Sequence, residues 1–89
     1  MNALADRVRI LSGILAGIDR WRDVGDAVSA VNNRDEALDR IQELLGLDAE
    51  QAAAILDQPI ARLVQADVLR MRTELARARE QLADEDGGK

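Results

Sequence analysis

The sequence predicts an all-α fold: an antiparallel coiled-coil hairpin of two long helices carrying a small globular head of short helices. Three observations predict it. Apolar residues recur at steps of three and four from Leu4 onward, the spacing of a helix face rather than of a strand. Hydrophobic residues make up 47% of the chain but aromatic residues only 1%, so the core is built from Leu, Ile, Val and Ala and suits helix-on-helix packing. Helix-capping residues punctuate the middle of the chain, and no strand pattern or internal repeat interrupts them.

A chain of 89 residues holds one domain at most. Residues 1–83 are assigned to it and residues 84–89 to a disordered, solvated tail. Leu4, Val8, Leu11, Leu15 and Ile18 form a heptad seam, and Ile10, Ile14, Trp21, Val24, Val28 and Val31 add a second apolar line. Together they predict one helix of roughly 28 residues, about 40 Å long, stopped by Asn32 and Asn33. Such a helix projects from any bundle this chain can make. Asn33-Arg34-Asp35-Glu36 then reads as a reciprocal capping box. The short helix it starts buries Ala37, Leu38, Ile41, Leu44 and Leu45 and ends at Gly46. Asp48 caps a third helix, with Gln51 at its third position and Ala52, Ala53, Ala54, Ile55 and Leu56 along it. Pro59 must break that helix, with Asp57 capping a new turn. Ile60, Leu63, Val64, Val68, Met71, Leu75, Ala78 and Leu82 continue as a second long amphipathic helix with an interruption near Gln65–Asp67.

Composition removes much chemistry. There is no His, Cys or Tyr, hence no imidazole base, thiolate, disulfide or tyrosyl intermediate. Ser12, Ser29 and Thr73 therefore have no His partner. The chain is read as non-enzymatic, with no cofactor, no catalytic residue and no metal. No apolar stretch approaches the ~20 residues of a membrane span, and no signal-peptide pattern opens the chain, so the expected compartment is the cytoplasm. Of the 12 basic residues only Lys89 is lysine.

Several features invite a sharper reading than their spacing supports. Gly13-Ile14-Leu15-Ala16-Gly17 is a GxxxG, a dimer seam in membrane helices but in a soluble helix first a sign of close packing within one chain. Arg70, Arg72, Arg77 and Arg79 form two i, i+7 pairs. A DNA-backbone contact is weighed against a solvated face paired with Glu74 and Glu80. The net charge of −5 favours the latter, and little or no direct DNA binding is expected. Asp35, Glu36, Asp39 and Glu43 lack the turn and carbonyl donors that hard cations prefer. Trp21, the only aromatic, is read as a packing residue of core or interface.

Two stretches resemble a known family. Ile10-Leu11-Ser12-Gly13-Ile14-Leu15-Ala16-Gly17-Ile18-Asp19 looks like the "ILxGLLxALD" stretch, and Leu45-Gly46-Leu47-Asp48-Ala49-Glu50-Gln51-Ala52-Ala53-Ala54-Ile55-Leu56-Asp57, continuing through Pro59-Ile60-Ala61-Arg62-Leu63, looks like "FGLSExQAxAILDMxLxRL". Both belong to the C-gate, the coiled-coil tip and dimerisation region, in the tyrosine-bearing subunit of bacterial type IIA topoisomerases, DNA gyrase and topoisomerase IV. The resemblance spans roughly Val8 to Leu82. Gln58 stands where the family usually has Met, Ala66 where a larger apolar residue is usual, and Gly25 where a bulkier one is. The family's catalytic-tyrosine, tower and DNA-wrapping domains have no counterpart in these residues.

The resemblance implies an isologous homodimer whose candidate interface is Leu44, Leu47, Ile55, Leu56, Pro59, Ile60 and Leu63. Sequence does not divide these between core and interface. It also implies a possible heterologous contact with the tyrosine-bearing subunit of a topoisomerase, which the chain would modulate without catalysis of its own. A fragment of an ATP-dependent topoisomerase and an unrelated small acidic helical regulator are the alternative readings. No membrane partner is expected.

Overall fold

The computed structural model describes residues 2–87. Among them the fold is all-helical: α1 (Ala3–Asp19), α2 (Trp21–Ser29), α3 (Arg34–Leu45), α4 (Ala49–Leu56), a 3-10 turn (Ile60–Leu63) and α5 (Gln65–Gly87). Asp19 meets Arg72 and Ser12 meets Arg79, so α1 and α5 run antiparallel. Helices α2 and α3 pack together, and α4 packs between α3 and α1.

The expected single N-terminal helix does not form. It breaks at Arg20, whose backbone leaves the helical region at φ −121°, ψ 39°. Neither neighbour, Asp19 nor Trp21, is a Gly or Pro, and the break coincides with one local and one tertiary contact of the Arg20 side chain. The Arg20 guanidinium donates to the Leu44 carbonyl at 3.2 Å and binds Asp23 at 3.0 Å. The change of direction lets α1 and α2 face two different cores.

One core joins Ile14 and Leu15 of α1 to Met71 and Leu75 of α5. The other joins Val24, Ile41, Ala52 and Ile55 of α2, α3 and α4. The molecule measures 50 × 29 × 16 Å and has a radius of gyration of 14.2 Å, against roughly 12 Å for a compact domain of this length. Its accessible surface, 5912 Å², likewise exceeds the roughly 5,100 Å² usual for its mass. Both values describe an elongated body with little interior.

The short helices start and stop where local chemistry dictates. Asp48 Oδ1 accepts from the Gln51 amide at 2.8 Å while Gln51 Oε1 accepts from the Asp48 amide at 3.1 Å, a complete capping box. The box expected at Asn33 forms differently. Its Oδ1 accepts from the Glu36 amide at 2.9 Å, but Glu36 Oε1 accepts from the Asn33 side-chain amide at 3.1 Å and not from its backbone. Gly46 closes α3 at φ +66°, a conformation that favours glycine, and its amide donates to the Gln42 carbonyl at 2.8 Å. Asp57 ends α4 and does not cap the following turn, because Arg34 holds its carboxylate at 2.9 and 3.0 Å.

The second long helix is interrupted at Val64, which is extended at φ −61°, ψ 133°. Beyond it α5 runs through Asp84 and Glu85, positions assigned to the tail, as far as Gly87. Gly88 and Lys89 lie outside the described residues. Among the described residues no helix is long and apolar enough to cross a membrane.

Candidate interaction surface

The surface is built where α4 gives way to α5. Pro59 has no amide to donate and sits extended at φ −69°, ψ 149°, so α4 cannot continue through it. The chain makes one tight turn instead, with the Arg62 amide donating to the Pro59 carbonyl at 3.0 Å and the Val64 amide to Ala61 at 3.2 Å. A turn this short has no inner face wide enough for all its apolar side chains. Leu63 is half-buried and lines a narrow apolar crevice with Trp21, Ile55 and Pro59. Ile60 and Val64 are left outside, 72% and 57% exposed. One turn into α5, Leu69 is 65% exposed.

The candidate interface residues therefore divide. Ile55 is buried in the core of α2–α4, and Leu44, Leu47 and Leu56 are half-buried against it. Pro59 and Ile60 are exposed and Leu63 lies between. The structure brings Pro59, Ile60 and Leu63 to one turn and adds Val64. Leu69 and Val64 were not among the candidates, although Leu69 carries a sequence signal: it is the large apolar residue that falls off the Val68–Met71–Leu75 stripe. Trp21, 36% exposed, lies at the edge of the crevice.

The GxxxG is internal packing. A Cβ on Gly13 would lie 2.9 Å from Gln51 Cβ, and one on Gly17 would lie 2.9 Å from Ile55 Cγ2. These glycines let α1 approach α4 of the same chain.

The charged residues act as clasps between elements. Arg9 of α1 reaches Asp48 at 2.7 Å and also Glu50 at the start of α4, and its carbonyl accepts from Gln51 Nε2 at 2.8 Å. This link spans some forty residues and has no local sequence signal. Arg34 clasps Asp57 in a bidentate pair. Among the described residues the arginines of α5 do not pair with Glu80. Arg70 pairs with Asp67 at 2.9 Å, Arg72 with Asp19 across the helix interface, and Glu74 is taken by Arg7. Among the described residues no group of three or more acids gathers as a metal site.

Two carboxyls are held below their ordinary range. Asp48 is lowered by the Gln51 amide and then by Arg9, and Asp57 by the Arg34 guanidinium. A carboxyl whose folded pKa is depressed stabilises the fold above its unfolded pKa, about 3.9. That contribution is lost as pH falls through the lower folded value. The thermal midpoint is therefore expected to stay level from neutral pH to about 5 and to fall below about 4. Asp57→Asn should flatten part of the fall while lowering the neutral-pH midpoint. An unchanged acid limb in that variant, followed by circular dichroism, would remove Asp57 from the account.

No family model matches the sequence, and no curated protein matches it. The likeness to the topoisomerase C-gate rests on the quoted residues alone.

Proposed function

We propose that this chain is a dimerisation module of the C-gate kind, without catalytic activity, in which two copies meet through the turn from Pro59 to Val64. In this reading α1 and α5 serve as a short antiparallel coiled-coil stem, and α2 to α4 with the 3-10 turn serve as the head. The observation that carries it is the exposure of Ile60 and Val64 on a single turn whose one charged residue is Arg62, in a body that already exposes more surface than its mass requires. Isolated exposed apolar residues are ordinary. A turn that presents two large ones beside Pro59 and a half-buried Leu63 offers the apolar centre that an isologous contact needs. The tyrosine-bearing subunit of a topoisomerase, with a matching head, is the heterologous partner this reading allows.

Size-exclusion chromatography with light scattering tests it. The native chain is expected to run as a dimer with a thermal midpoint that rises with concentration. Ile60→Asp should give a monomer with unchanged helicity, because the side chain is 72% exposed within its own chain. A charge in the centre of an apolar contact costs at least about 2 kcal/mol, or roughly 30-fold in dimer dissociation. A variant that stays dimeric at all concentrations places the contact elsewhere, and a native chain that is monomeric at high concentration ends the proposal.

A further inference from the structure

We infer that the outward face of α5 is a docking seam for an acidic amphipathic helix from a different protein. The buried side of α5 is Met71, Leu75 and Ala78. On the opposite side Ala66, Leu69, Thr73, Ala76, Glu80 and Ala83 recur at alternating steps of three and four, and every one is exposed. That is the a/d spacing of a coiled-coil seam, turned away from the chain's own core. The positions that flank such a seam hold Arg70, Arg77 and then Asp84 on one edge and Gln65, Arg72 and Arg79 on the other.

The arginines decide the occupant. Asp67 answers Arg70 and Asp19 answers Arg72. Arg77 and Arg79 have no carboxylate partner among the described residues; Arg79 meets the Ser12 hydroxyl at 3.4 Å. On the α1 side the seam borders a groove of about 690 Å³ that shares Ala66, Leu69 and Thr73 with it and is edged by Arg70, Arg77 and the Arg7–Glu74 pair. A second copy of this seam is a poor occupant, since parallel or antiparallel pairing through its middle sets arginine against arginine. A helix with acids opposite Arg70, Arg72, Arg77 and Arg79 matches both edges over that span, and Asp84 asks for an uncharged or basic residue opposite it. Glu80, the one charge in the seam, then selects a partner with a basic or amide residue opposite it. Duplex DNA fits less well: the chain carries a net charge of −5, and the middle of the face is Leu69 with small residues, not cations.

The test uses the full chain and labelled synthetic helices of about four heptads with Leu and Ala in the seam. One has Glu at every flanking position, and one has Lys. Polyglutamate and a short DNA duplex complete the set. The Glu helix is expected to bind at least about tenfold more tightly than the Lys helix, with affinity falling as salt rises. The double variant Arg77→Glu/Arg79→Glu should weaken it by at least about tenfold, and Leu69→Glu should do likewise with helicity unchanged. Arg77→Gln/Arg79→Gln gives the same ranking should charge reversal disturb folding. Ile60→Asp should bind the Glu helix as the native chain does, which separates this seam from the dimer contact. Equal binding of Glu and Lys helices overturns the inference. So does polyglutamate matching the Glu helix, which makes the effect charge alone, and so does duplex DNA outcompeting it.

Discussion

Ile41→Ala is expected to remove about 3–4 kcal/mol of stability, near the middle of the range for emptying a sealed core site. Ile41 is the largest side chain with no accessible surface at all, 0% exposed. It sits among Val24, Ala52 and Ile55, contributed by two other helices. The site cannot collapse cheaply, because α4 is fixed at its start by the Asp48–Gln51 box and at its end by the Arg34–Asp57 pair. A chain of 89 residues has about 4–13 kcal/mol in total, so the loss is a large share of it. Urea denaturation followed by circular dichroism measures it, with Leu69→Ala as the exposed control expected within about 0.5 kcal/mol of the native chain. A loss below about 1 kcal/mol at Ile41 means that the core of α2–α4 is looser than its burial implies.

Gly17→Val is expected to be nearly as damaging for the opposite reason. A Cβ at Gly17 falls 2.9 Å from Ile55 Cγ2 and 3.0 Å from Cγ1. Ile55 is itself buried and has no free direction to move in, so α1 must back away from α4. Overpacking of this kind costs about 1–3 kcal/mol for a methyl, and the larger valine should reach or pass the upper end. Gly25 is the internal control. It also lies in a helix, yet a Cβ there would meet nothing within 4 Å, so Gly25→Ala should stabilise by about 0.5–1 kcal/mol through helix propensity alone. If Gly17→Ala behaves like Gly25→Ala, the close approach of α1 to α4 does not persist in solution.

What was legible in the sequence was whatever a few adjacent residues settle. Asp48 with Gln51, Gly46, Pro59 and the start of α3 at Asn33 each act on amides within one turn of themselves, so their effects can be read without knowing the fold. The break at Arg20 could not be read, because it goes with a contact to the Leu44 carbonyl 24 residues away and with two cores on different sides of α1 and α2. The same limit applied to the surface. Leu44, Ile55 and Ile60 look equivalent as letters. Only packing makes Ile55 a wall of the core and Ile60 a projection, since the difference lies in which helix comes to rest against each. The Arg9 clasp escaped for a similar reason: its acids Asp48 and Glu50 lie at the start of a helix that is distant in sequence.

The division of the interior between two small cores also bears on how the molecule comes apart. The α1–α5 core contains Ile14, Leu15, Met71 and Leu75 and draws nothing from α2 or α3. Separating α5 from α1 therefore leaves Val24, Ile41, Ala52 and Ile55 still enclosed. Partial opening of this kind costs less than global unfolding. Amide hydrogens of α5 should accordingly exchange with solvent ahead of those of α3 and α4, and the protein's weakest cooperative unit would be α5 alone, since Gly13, Gly17 and Arg9 keep α1 on α4.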